Sequence, residues 1–340
     1  MASTRFNTPH QYIGKDTGEV ITERLIADGL IGRIYCDARE KAPDLYRALT
    51  SLRMSSLLGL VNYDLPMGSR VTGAKKLVEE LGIDLSECVD SLDELNTPRK
   101  LFERRIRYWE TRPLPEDPAT VVSPADSKAL VGSLAESSQL YLKGKFFDFE
   151  ELIGPGKRKW LNAFDGGDYA VFRLTPEKYH YNHTPVSGRV VDAYEITGAC
   201  HSCNPGAVVE EATPYSKNKR AVAVFDTDVE GGTGVGLVLM VEVVALMIGG
   251  IQQCYSEQRY DAPRPLRPGD FAAKGQPKSL YRPGSSVDVL LFEPGRVDFH
   301  PGIVANLHRA GVQSRFSSGF GKPLVETEVA LRSLIATARR

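Results

Sequence analysis

A chain of 340 residues is long enough to bury a sizeable core without disulfide or metal staples. Its 42 Lys and Arg against 43 Asp and Glu leave a formal charge of −1, which excludes a whole-molecule field for nucleic acid and restricts any membrane contact to local features. Five cysteines, an odd and sparse number, argue against a secreted disulfide framework, and the N-terminus lacks the basic start and apolar stretch of a secretory signal; a cytoplasmic protein, with peripheral membrane association as the most it would need, is expected.

From residue 1 to 118 charged and apolar positions recur at helical spacing, as in ITERLIADGLIGRIYCDARE and PDLYRALTSLRMSSLLGLV, which predicts a helical N-terminal region. In the second run Leu45, Leu49, Leu52 and the leucines after them form an apolar surface suited to packing on the body, with a bilayer as the alternative contact. TPRKLFERRIRYWETRPLPEDP opens on Thr-Pro and leaves through prolines, predicting a further amphipathic helix. Its Arg104, Arg105, Arg107 and Arg112 make a cationic face that meets either neighbouring acids or phosphate head groups.

From residue 119 to 340 short β-branched and aromatic runs take over, among them YAVFRLT, GRVVDAYEI, RAVAVFD, GLVLMVEVV and SVDVLLFE. They predict a β-rich body and, with the helical region before it, an α+β protein of sandwich or barrel-like form. The apolar stretch VGLVLMVEVVALMIGGI is short for a membrane span and has Glu242 at its middle, so it reads as two buried strands. KFFDFEELIG places Phe146, Phe149, Leu152 and Ile153 on one face of a short helix ended by Gly154. GGTGVG precedes a strand rather than a helix and reads as a hairpin turn, not a phosphate loop. Cys200, His201 and Cys203 lack a second ligand pair at usable spacing, so no metal is expected.

Gly284-Ser285-Ser286 stands just ahead of a strongly apolar strand. A serine that attacks a carbonyl needs a base for its proton and a carboxylate to orient that base. YHYNHTPVSGRV offers His180 and His183, and VVSPADSK offers Asp126. Taken singly, each histidine is equally a structural residue and Asp126 equally a turn former.

Taken together and in order, these segments resemble the phosphatidylserine decarboxylase family from about Thr97 to Thr327. The resemblance rests on Ser123 to Asp126 (SPAD), Lys143-Gly144 before an aromatic helix, His180, His183, Pro185 and Gly188 (H-x-x-H-x-P-x-x-G), Asn204-Pro205, Asn218 and Arg220, Lys274-Gly275 ahead of Gly284-Ser285-Ser286, and Val325 to Glu328 (VETE). It implies self-cleavage between Gly284 and Ser285, conversion of Ser285 to a pyruvoyl cofactor, a self-cleavage set of Asp126, His183 and Ser285, and a part for His180 in decarboxylation. It also implies a homodimer of processed protomers that turns phosphatidylserine into phosphatidylethanolamine and carbon dioxide through a Schiff base on the pyruvoyl group, with Phe146, Phe149, Leu152 and Ile153 as substrate-facing candidates. The sequence departs from the family at Ser127, where glycine is usual, at Pro283, where an apolar or aromatic residue is usual, and at Val244, in place of a small residue. These departures bear on substrate identity more than on reaction type, and the lack of a membrane span, the near-neutral charge and the unusual N-terminal hundred residues keep open a soluble decarboxylase of a free amino acid such as tryptophan. A non-enzymatic lipid- or protein-binding module is the third reading, and the joint presence of Asp126, His180, His183 and Ser285 argues against it.

Overall fold

The computed structural model describes residues 6, 8–15, 17–25, 27–51, 78–79, 81–91, 93–135, 146–246, 250–283 and 286–339. Gly284 and Ser285, Lys143-Gly144 and the helix predicted to continue past Ser51 lie outside the described residues.

SVDVLLF has no polar alternation apart from Asp288, the pattern of a strand buried on both faces. It forms β13 (Ser286–Phe292) at the centre of a ten-stranded sheet. On one side lie β9 (Leu237–Val244), β8 (Arg220–Asp226), β7 (Gly188–Ile196) and β11 (Phe271–Ala272); on the other lie β5 (Asp168–Leu174), β4 (Ser127–Ser133), β15 (Thr327–Val329), β1 (Gln11–Ile13) and β2 (Val20–Thr22). Neighbours are antiparallel except β1 and β15, which are parallel. Two smaller sheets have the orders β10 (Ile251–Gln253), β12 (Pro277–Tyr281), β6 (Tyr181–His183) and β14 (Val297–Phe299), β16 (Leu334–Ala338), β3 (Thr120–Val122). With its helices the protein is α+β, and among the described residues the large sheet is open, not closed into a barrel.

All seven residues of β13 pair with both β9 and β5. Val287, Val289, Leu290, Leu291 and Phe292 are fully buried, worth ~1.5–3 kcal/mol each. Residue 285 immediately precedes this strand, so the segment after the expected cut is held in the sheet without the peptide bond. Of the two buried strands predicted in the apolar stretch around Glu242, the first is β9, and the second, β10, begins only at Ile251, the last residue of the stretch, and is not buried. Glu242 is tolerated in the interior because Lys278, itself buried, lies 2.7 Å away. GGTGVG is the β8–β9 hairpin turn, with Gly231, Gly234 and Gly236 at φ 73°, 76° and 73°.

The N-terminal helices occur between Asp28 and Leu49, but Gln11–Ile13 and Val20–Thr22, the latter overlapping the start of a predicted helix, extend the main sheet. Val20, Ile21 and Thr22 are β-branched, and pairing with Gln11–Ile13 decides their state. The helix predicted from Thr97 breaks into Pro98–Phe102 and Tyr108–Thr111. Between them Arg105 and Arg107 pair through their backbones with Val89 and Glu87 at 2.9 and 2.8 Å, a contact no local pattern encodes. The segment KFFDFEELIG folds into a helix at Phe149–Ile153, capped by the Asp148 side chain and ended by Gly154 at φ 104°. Phe146, Leu152 and Ile153 are buried in the main core and Phe149 is packed partly against it. These four candidates for substrate contact therefore face inward.

Arg173 on β5 ties the chain ends to the sheet. Its guanidinium bonds Glu326 (Nε to Oε1, 2.9 Å) and Glu23 (Nη1 to Oε1, 2.9 Å), while His10 Nε2 lies 2.8 Å from Glu326. His10, Glu23 and Glu326 converge as metal ligands would, yet Arg173 and the buried Lys128 already neutralise the two carboxylates. Replacing Arg173 by Met leaves both acids buried and poorly paired, with an expected loss of ~3–5 kcal/mol. A urea midpoint that does not fall, at unchanged slope, would show that this network adds nothing to stability.

Candidate active site

The two histidines are set by pairing between distant segments. His183 ends β6, and its N–H donates to the Pro124 carbonyl at 2.8 Å, while Val122 N–H donates to Pro185 at 2.9 Å. The Ser123 to Asp126 turn thus lies against the H-x-x-H strand. β6 pairs with β12, and Tyr281 N–H donates to the His180 carbonyl at 3.1 Å. The chain leading to Gly284 therefore runs beside His180.

His183 is fully buried. Its Nδ1 lies 2.9 Å from the Gly275 carbonyl, which can only accept, so Nδ1 carries the proton and Nε2 keeps a lone pair, 3.1 Å from the Tyr179 hydroxyl. Burial pushes its pKa down to about 3, the Arg332 charge adding to this and the Gly275 bond and Asp126 opposing it. The ring is therefore a neutral base at physiological pH. Gly275 sits at φ 75°, and a Cβ there would meet Leu114 and Arg332 at 2.8 and 2.9 Å, which is why glycine carries this carbonyl. Lys274 before it donates to the carbonyls of Asp117, Pro118 and Thr120 at 3.1, 3.0 and 2.9 Å.

Asp126 does not hydrogen-bond His183 among the described residues; it acts on the ring through space. Its carboxylate is held bidentately by Arg112 (Nε 3.0 Å, Nη2 2.9 Å) and by the Leu331 N–H at 2.7 Å. Burial alone would raise this carboxyl, but the Arg112 and Leu331 bonds outweigh it and hold it below the usual range. Arg112 also bonds both oxygens of Glu87 at 2.9 Å. Of the expected cationic face, Arg105 pairs with Asp90 and Arg107 with Glu110, and Arg104 is buried. Sequence reasoning assigned no role here to Arg112, Gly275 or Tyr179.

His180 is fully buried and stacks on Phe102 with ring centroids 3.6 Å apart. Burial and then the Arg104 charge keep it neutral, against an opposing influence of the Lys178 backbone. Among the described residues neither ring nitrogen of His180 has a hydrogen-bond partner, nor do Asn182 Oδ1, Ser286 Oγ or Asp288 Oδ2. Asp288 faces Glu242 across the strands and its other oxygen accepts from Tyr281 at 2.8 Å; burial and then Glu242 push its carboxyl well above the usual range. Native interiors pair nearly all such atoms. An orphaned set on β13 and on the β6 segment that pairs with β12 fits a further polar group, and the ketone and carbonyl oxygens of a pyruvoyl residue are of that kind.

His183, His180, His10 and His201 are all held below the ordinary 6.5, each chiefly by burial. As pH falls through about 6.5 the unfolded chain takes up protons that the native protein cannot, so stability declines with falling pH. Urea unfolding should show a lower midpoint at about pH 5 than at about pH 7.5, a window above most carboxylate titration. A flat profile would contradict neutral burial of these rings.

The sequence model of the phosphatidylserine decarboxylase family matches residues 99–312. A phosphatidylserine decarboxylase proenzyme of Fusobacterium nucleatum is 26% identical over 297 residues, 87% of this chain and 91% of that protein. One of Chlamydia trachomatis is 28% identical over 311 residues, 91% of this chain and 95% of its own. Proenzyme 2 of Oryza sativa is 30% identical over 232 residues, 67% of this chain and 34% of the rice protein. The matched span contains Asp126, His180, His183 and Ser285, and so this chain belongs to the phosphatidylserine decarboxylase family of carboxy-lyases.

Proposed function

We propose that the protein is a self-processing, pyruvoyl-dependent decarboxylase that converts phosphatidylserine to phosphatidylethanolamine and carbon dioxide. The observation that carries this reading is the set of buried polar atoms on His180, Asn182, Ser286 and Asp288 that lack partners among the described residues, together with a histidine, His183, whose Nε2 keeps a lone pair towards the Tyr179 hydroxyl.

In this reading His183 takes the Ser285 hydroxyl proton and the Ser285 oxygen attacks the Gly284 carbonyl, so a C–O bond replaces the C–N bond and an ester links the two segments. Loss of the Ser285 α-proton then expels the Gly284 carboxylate, and water removes ammonia from the dehydroalanine that remains, leaving the pyruvoyl group. Asp126, neutralised by Arg112, acts as a fixed charge that favours the protonated form of His183 as it forms. The pyruvoyl group supplies a ketone that accepts the substrate amine and an electron sink for the departing carbon dioxide. His180 returns the proton to the α-carbon. Burial keeps its ring neutral in the free protein, and the negative charge of an arriving head group works in the opposite direction, favouring the imidazolium that donates.

The reading takes residues 119–340 as the catalytic body and 1–118 as the region packed on it, in a homodimer that meets the membrane peripherally. No helix among the described residues is long and apolar enough to cross a membrane. Carbon dioxide release should be measured from phosphatidylserine vesicles and from a panel of free amino acids including tryptophan. Turnover of vesicles is expected; turnover of a free amino acid with none on vesicles would overturn the lipid substrate while leaving the reaction type.

A further inference from the structure

A cavity of about 440 Å³ lies beside the site, lined among others by Arg104, Arg112, Asp126, Lys178, Tyr179 and Glu328. Most of its charges are already matched. Arg112 bridges Glu87 and Asp126, Lys178 bonds Glu328, and the Asp84 carboxylate accepts from the Ser86 N–H. Among its buried charges Arg104 is the exception. It is 6% exposed, its Nη1 and Nη2 donate to the carbonyls of Leu101 (3.2 Å) and Glu177 (2.7 Å), and its Nε has no partner. Among the described residues no carboxylate forms an ion pair with it. Asp126 and Glu87 act on it only through space, and a buried guanidinium with an unmet donor and no directly paired carboxylate is unfavourable on its own and is completed by an anion that accepts from its fork. Its link to the chemistry is short: Phe102, two residues earlier, stacks on His180, and Tyr179 of the same cavity touches His183.

We infer that this cavity receives the substrate head group and that Arg104 binds its phosphodiester. The assignment rests on the decarboxylase reading for the choice of anion. Decarboxylation disperses the charge of the carboxylate, so a guanidinium on that group would stabilise the starting state more than the transition state and slow the reaction. A phosphodiester keeps its charge throughout, and holding it adds nothing to the barrier. The mixed lining, acids beside cations, suits a head group that carries an ammonium as well as its anionic groups better than a simple anion. The phosphate, absent from a free amino acid, is then the feature by which the protein selects a phospholipid.

The test is calorimetric titration of glycerophosphoserine, the water-soluble head group, into the full-length Ser285→Ala chain with and without Arg104→Gln. A rise in Kd of roughly 10- to 100-fold is expected, partly recovered by Arg104→Lys, while O-methylserine, which has no phosphate, binds both chains alike. An unchanged Kd for glycerophosphoserine, an equal loss for O-methylserine, or inorganic phosphate binding as tightly as glycerophosphoserine would each overturn the assignment. Should Arg104→Gln fail to fold, competition on the Ser285→Ala chain decides: sn-glycerol 3-phosphate is expected to displace glycerophosphoserine, and no displacement overturns it. Because the Ser285→Ala chain performs no chemistry, this outcome is separate from the decarboxylase reading, which falls if processed wild type releases no carbon dioxide.

Discussion

Ser285→Ala is expected to remain one uncut chain with no decarboxylase activity, whereas wild type separates under denaturing electrophoresis into residues 1–284 and 285–340. Loss of a serine nucleophile typically lowers rates on the order of a millionfold, and here the same residue also supplies the atoms of the cofactor, so no residual turnover should remain. Residue 285 sits immediately before β13, the central strand, whose seven residues pair on both sides. The two wild-type products should accordingly stay together in native gel filtration and part only on denaturation. Intact-mass measurement checks the chemistry: the smaller product should begin with a blocked, ketone-bearing residue that reacts with phenylhydrazine. An active preparation consisting of a single intact chain would end the pyruvoyl reading.

Replacing the two histidines should separate two functions. His183→Asn removes the Nε2 base and is expected to stop processing, leaving the uncut chain. His180→Asn is expected to leave processing intact and to lower kcat on phosphatidylserine by roughly 10²- to 10⁴-fold, the usual contribution of a proton-transfer group. The pH dependence follows from burial. With its pKa pushed down to about 3, His183 is already in its neutral, proton-accepting form across neutral and mildly acidic pH. The processing rate should stay level between about pH 8 and about pH 5.5, whereas a base with an ordinary imidazole pKa would lose activity below about 6.5. A tenfold fall per pH unit in folded protein would show that His183 titrates normally. Equal loss of processing in both variants would remove the distinction between the histidines.

The contrast between Asp126 and His183 shows how far sequence reasoning reaches. Both residues and their segments were legible, because the H-x-x-H and SPAD wording survives in one dimension. The hydrogen-bond partners were not. Asp126 is held by Arg112, 14 residues away, and His183 by the Gly275 carbonyl, 92 residues away. In neither pair do the two residues share a helix or strand, so no helix or strand period links them. Arg104 shows the same limit from the other side. Its spacing with Arg105 and Arg107 predicted an exposed cationic helix, but pairing of Arg105 and Arg107 with the Glu87 to Val89 segment broke that helix and drew Arg104 inside.

By itself the sequence determined five of the longer strands (Asp168–Leu174, Gly188–Ile196, Arg220–Asp226, Leu237–Val244 and Ser286–Phe292), the α+β class, the family motifs and the serine just ahead of the central strand, because hydrophobic runs and turn residues act over a few neighbouring positions. Only the tertiary structure decided that Phe146, Leu152 and Ile153 are core, that Val20–Thr22 is a strand, and which buried polar atoms are left without partners. Burial and hydrogen-bond satisfaction are properties of segments brought together from across the chain, and no local pattern records which of them will meet.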